Sequence, residues 1–144
     1  MFGKMEVFSV EEVKLAIDAI QVYQTQYDQV DKVWGYFSAV TLATSGFVVG
    51  SDKATRSLVE PVAILVAYWF FCFGNHLALV SGQNQLMQLA DILIKLCKNA
   101  GFDISMFAPL SANSVANFHL GAIITVSLGI LVITVLRRRQ SSGK

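Results

Sequence analysis

Charge is scarce in this sequence. Only 15% of its 144 residues are Asp, Glu, Lys or Arg, whereas a water-soluble domain carries about a quarter. The shortage is concentrated: residues 33–51, 61–90 and 104–136 contain none of the four. Ionisable side chains inside apolar tracts mark proton relays, ion-coupled carriers and charge-sensing helices, so those classes are disfavoured. Also missing are a glycine-rich phosphate loop, a nucleophile elbow, a His-Glu metalloprotease pair and a cysteine cluster, and without them an enzyme is not expected. The two cysteines, Cys72 in an apolar tract and Cys97 in a polar one, have no metal or redox spacing. A formal net charge of +1 gives no bulk attraction to nucleic acid. The first residues lack the basic flank and apolar run of a cleaved signal, so the first apolar helix is expected to serve as the targeting signal.

What remains is apolar length. Crossing a hydrocarbon core takes roughly 20 mainly apolar helical residues, and each charge-free tract is that long or nearly so. None alternates as a barrel strand does. A soluble bundle is the competing reading, but too few polar residues are left to cover three such helices. The expectation is an all-α integral membrane protein with three transmembrane helices, and with an extramembrane helical hairpin formed by extensions of helices 1 and 2.

The chain then divides as a single membrane domain, 1–144. Ser9 and Glu12 fit a capping box, opening an amphipathic helix over 9–30. In it Val10, Val13, Ile17, Ile20, Gln24 and Tyr27 recur at heptad-like spacing. Span 1 covers 32–50, reached without a helix breaker. After a polar turn, Ser57 and Glu60 form a second possible capping box, and Pro61 suits a first helical turn. Span 2 covers 58–81. An amphipathic helix over 83–99 carries Leu86, Leu89, Leu93 and Leu96 on one stripe, and Gly101 suits its C-terminal cap. A loop holding Pro109 leads to span 3, 115–136, which the arginine triplet is expected to end, leaving a basic tail over 137–144. Because spans 1 and 2 run in opposite directions, both amphipathic segments emerge on one face and can pair.

Lys53, Arg56, Arg137, Arg138, Arg139 and Lys144 lie on one face, and Lys4, Lys14, Lys32, Lys95 and Lys98 on the other. The positive-inside rule then places the C-terminus in the cytoplasm and the hairpin outside. A bacterial inner membrane is the expected location.

Four residue sets are candidates for function. Gly35, Ala39 and Ala43 in span 1, Gly74, Ala78 and Gly82 at the end of span 2, and Gly121, Thr125 and Gly129 in span 3 recur every four residues. Such small-residue faces let helix backbones approach closely in lipid; they mark assembly into a homo-oligomer or packing within one subunit. Ser38, Thr41, Thr44 and Ser45 give span 1 hydroxyls that line a pore or bond to their own helix carbonyls. Asn75, His76, Asn117 and His119 fall at similar depth on antiparallel neighbours and form a candidate polar site at the membrane edge. Facing imidazoles there can also hold haem b, a lesser alternative to no cofactor at all. Trp34 and Tyr36 read as interface anchors. The functional expectation is a small homo-oligomeric pore-forming or membrane-perturbing effector or channel. The alternatives are an anchor or accessory subunit of a larger complex, with a protein partner on the hairpin, or a haem-binding electron-transfer subunit.

Overall fold

A computed structural model describes residues 9–50, 59–104 and 108–142. All of the regular structure among them is helical: α1, Val10–Gly50; α2, Val59–Asn99; and α3, Ala112–Ser142. Each is long and apolar enough to cross a membrane, which makes the chain a multi-pass membrane protein by length and composition. Within the most apolar stretch of each helix, no more than 28% of residues are buried inside the bundle. Phe70, at 81% exposure, and Leu42, at 73%, point outward. Apolar side chains turned outward along all three helices are what a lipid-covered bundle requires.

The helix ends follow local chemistry. Ser9 N–H donates to Glu12 Oε2 at 3.0 Å while Glu12 N–H donates to Ser9 Oγ at 3.2 Å, a reciprocal capping box. At the end of α2, Phe102 N–H reaches Cys97 O at 2.8 Å and Gly101 N–H reaches Lys98 O at 3.1 Å. This Schellman closure needs a left-handed residue, and Gly101 supplies it with φ 80°. Ser57, the cap expected before α2, lies outside the described residues. Helix α3 starts earlier than expected because Ser111 Oγ accepts Ser114 N–H at 3.1 Å and Met87 Sδ accepts Ala112 N–H at 3.3 Å. It also runs past the arginine triplet to Ser142. Arginine is a good helix former, so it can bound a span without ending a helix.

The helices run up, down and up. Along α1 the α2 partners descend in number, from Ala16 against Leu93 and Cys97 to Phe37 against Tyr68 and Cys72. The α3 partners ascend, from Val115 beside Val30 to Ile123 beside Phe37. Helices α1 and α2 stay packed beyond the start of α3, where Ala16 meets Leu93 and Cys97.

The stripe on α1 is rotated from the expected one. Val10 and Ile17 are exposed, whereas Ala16 is 3% exposed, with Ala19, Ile20 and Tyr23 packed beside it. Alanines let the two backbones close up; of the expected stripe, Ile20 stays in the contact while Val10, Ile17 and Tyr27 turn outward. On α2, by contrast, Leu86 and Leu93 are buried and Leu89 and Leu96 half-buried, as expected. Burial raises the pKa of the Tyr23 phenol, with neighbouring Tyr27 adding to the effect, so Tyr23 keeps its proton.

Candidate functional site

Three of the four expected polar residues meet. Asn75 and His76 on α2 face His119 on α3, where α1 passes closest. His119 is fully buried and Asn75 is 8% exposed. Asn75 Nδ2 donates to the Val33 carbonyl of α1 at 3.1 Å, which fixes the amide orientation, since the reverse would set two oxygens against each other. Asn75 Oδ1 is then an acceptor, and His119 Nε2, 3.1 Å away, must carry the proton. Neutral His119 therefore presents a lone pair at Nδ1, which accepts from His76 Nδ1–H at 3.2 Å. The result is a one-directional hydrogen-bond chain from His76 through His119 and Asn75 to α1, joining all three helices.

Aromatic rings wall the chain in. His119 lies 4.5 Å from Phe37 and 5.4 Å from Trp34, centroid to centroid. The two imidazoles are stacked, with planes 28° apart. Among the ring nitrogens of this chain, only His76 Nε2 has a lone pair outside it. A haem iron held by both rings would first have to part them.

Asn117 does not join the cluster. Two residues before His119, it projects from the other side of α3 and is exposed, as is Asn113. Val33, whose carbonyl ends the chain, carries no sequence signal for that role.

The hydroxyls of span 1 do not share an open face. Thr41, Thr44 and Ser45 are half-buried and Ser38 is exposed. Thr41 Oγ1 bonds with the Tyr68 hydroxyl at 3.0 Å. The centre behind them is filled by Phe37, Tyr68, Cys72 and Ile123. A second polar link joins Trp69 Nε1–H to Ser127 Oγ at 3.0 Å. At the far end, the Arg137 guanidinium donates to the Val48 carbonyl at 3.1 Å and to that of Val49. These carbonyls belong to the last turn of α1, where the helix leaves acceptors unsatisfied and favours a cation. Of the two expected interface anchors, Trp34 turns into the bundle and Tyr36 is exposed.

All members of the small-residue sets except Gly82 point away from the bundle. Gly35, Ala39, Ala43, Gly74, Ala78, Gly121, Thr125 and Gly129 are exposed. A Cβ added at Gly35, Gly74, Gly121 or Gly129 would meet nothing within 4 Å. Gly82 differs, since its Cβ would come 3.1 Å from Val30 Cγ2.

No protein-family model, curated protein or solved structure matches the chain. Its function is therefore argued from this geometry.

Proposed function

We propose that the chain is a self-associating three-span membrane protein whose assembled form opens or perturbs the bilayer, with the α1–α2 extension outside the membrane. The observation that carries this reading is the outward placement of the small-residue faces on all three helices, with only Gly82 among them turned toward α1. Water does not drive helix association in lipid, and close backbone approach along such faces takes its place. The bundle leaves these faces vacant, having packed itself with other residues, so they remain available to a second copy. Its own centre is filled, so any conduction path runs between copies. The reading adopts a bacterial inner membrane, with the arginine triplet on the cytoplasmic side.

A native mass spectrum of protein released from nanodiscs tests the assembly. A single homo-oligomer of about four chains or more, enough to surround a path, supports the reading and warrants conductance measurements. A monomer rejects it. Gly121→Leu or Gly129→Leu should dissociate the oligomer while leaving the helical content of each subunit unchanged.

One observation favours an anchor or accessory role instead. On the extension, Leu15, Ile17, Val22 and Ile92 are each more than half exposed, and apolar side chains in water favour a protein partner. Purification with a stoichiometric partner, lost when residues 83–99 are deleted, would support this second reading. A haem-binding role would show as a Soret band abolished by His76→Ala.

A further inference from the structure

A cavity of about 480 Å³ opens where the α1–α2 extension meets the start of α3. On the α1 side its wall includes, beside Val30, the residues Tyr23, Tyr27, Asp31 and Trp34. These positions follow one another by four, four and three, so a single helix face presents three aromatic rings and one carboxylate. The opposite wall includes Pro109 and Leu110, held in place by buried Gln83, whose Nε2 donates to the Leu110 carbonyl at 2.7 Å. Trp34 is braced by edge contacts to Phe37, Phe118 and His119. Among the described residues that line the cavity, Asp31 is the only charged one. Two other grooves along the helix pair contain no aromatic ring.

We infer that this cavity binds an organic ammonium group. Aromatic faces attract cations through their quadrupoles and accept the weakly hydrated surface of a methylated or alkyl ammonium. A carboxylate among them supplies the opposite charge. The volume falls within the range of small-ligand sites, and the pre-set Trp34 and the fixed Leu110 wall lower the cost of ordering on binding. Phosphate and carboxylate ligands are disfavoured because the single lining charge is negative. The ammonium can come from a lipid headgroup, ethanolamine or choline, or from a free amine. The headgroup source rests on the three-span reading, which sets Trp34 near the membrane edge. The free-amine source does not, and neither requires an oligomer.

The test uses Trp69→Phe protein, which leaves Trp34 as the reporter, in nanodiscs of phosphatidylglycerol alone. Choline and ethanolamine are titrated while Trp34 emission is recorded, and a parallel series replaces part of the lipid with phosphatidylethanolamine. A saturable change is expected with at least one source. Asp31→Asn should weaken it about tenfold, and Asp18→Asn, elsewhere on α1, should leave it unaltered. A response to the free amines assigns a soluble ligand; one confined to the doped lipid assigns a headgroup. Native mass spectra of the otherwise unaltered chain from mixed bilayers provide a second readout, in which phosphatidylethanolamine should be retained over phosphatidylglycerol only while Asp31 is present. Saturable, Asp31-dependent binding from either source upholds the inference. The absence of any such response, or an equal response in Asp31→Asn, overturns it.

Discussion

The two halves of the α1–α2 pair are held together differently. Where α3 is present, side-chain hydrogen bonds cross between helices: Thr41 to Tyr68, Trp69 to Ser127, Asn75 to the Val33 carbonyl and to His119, and Arg137 to the end of α1. In the extension, the contacts are mainly apolar, with Ala16, Leu93, Cys97 and Ala100 forming the buried set. Gln26, bonded to the Gly82 carbonyl and to Gln85 Oε1, stands near the border. The contrast matches two solvents. In water, burying apolar area is favourable by about 25 cal/mol per Å². In lipid that term vanishes between helices, and polar links and close packing must serve. On the proposed reading, the border between the two bonding styles is the membrane surface.

The comparison breaks first if the extension does not depend on apolar burial. Leu93→Ala, at a 5% exposed position, should cost about 2–4 kcal/mol of local stability. Amide hydrogen exchange should quicken over the extension and stay unchanged around Phe37. Uniform change along both helices would show that the two halves are one cooperative unit. The next largest effect belongs to His119→Leu. It removes a buried link and leaves Asn75 Oδ1 without its donor, at a cost of about 1–3 kcal/mol, read from detergent-driven unfolding in micelles. If His119→Leu were neutral, polar links would not be what joins α3 to the pair.

Much of this arrangement could be read from residues. Charge-free tracts located all three helices, Ser9 with Glu12 and Gly101 marked two ends, and antiparallel counting placed His76 opposite His119. What escaped was information carried by rotamers and close approach. The tautomer chain needs the orientation of the Asn75 amide and a backbone carbonyl, Val33, that no side-chain pattern flags. Ala16 carries little hydrophobicity, so a stripe scored by size passed over the residue that sets the contact with α2. Ser111 caps α3 from inside a run of small polar residues that resembles loop. The arginine triplet bounds a span inside a helix that runs on to Ser142, because a membrane boundary and a helix boundary need not coincide. Asn117 shares the depth of His119, but a turn of about 100° per residue separates the two, and the same turn sets Thr41 on the side of Phe37.

A smaller effect sharpens the lipid half. In a double-mutant cycle, Thr41→Val and Tyr68→Phe should reveal a coupling of about 0.6 kcal/mol, the average for such bonds between membrane helices. A coupling near zero would assign the pair to packing alone and leave the His119 chain and Trp69 as the principal polar links between α2 and its neighbours.

The smallest effect separates two glycines of one stripe on α2. Alanine in place of glycine in a helix gains up to about 1 kcal/mol from backbone entropy alone. At Gly74 nothing lies within 4 Å of the new Cβ, so the single subunit should be stabilised or unchanged. At Gly82 the methyl meets Val30 Cγ2 at 3.1 Å, and Val30 is buried and β-branched, with little freedom to turn aside. The gain should therefore be cancelled there, leaving Gly82→Ala less stable than Gly74→Ala by less than about 1 kcal/mol. Unfolding of dilute protein in micelles measures this difference. Repeated in nanodiscs at high protein density, the ranking should change if the Gly74 face packs against a second copy, because the added methyl would then meet a neighbour. An unchanged ranking would remove the α2 face from the assembly and leave Gly35 and Gly121 to carry it.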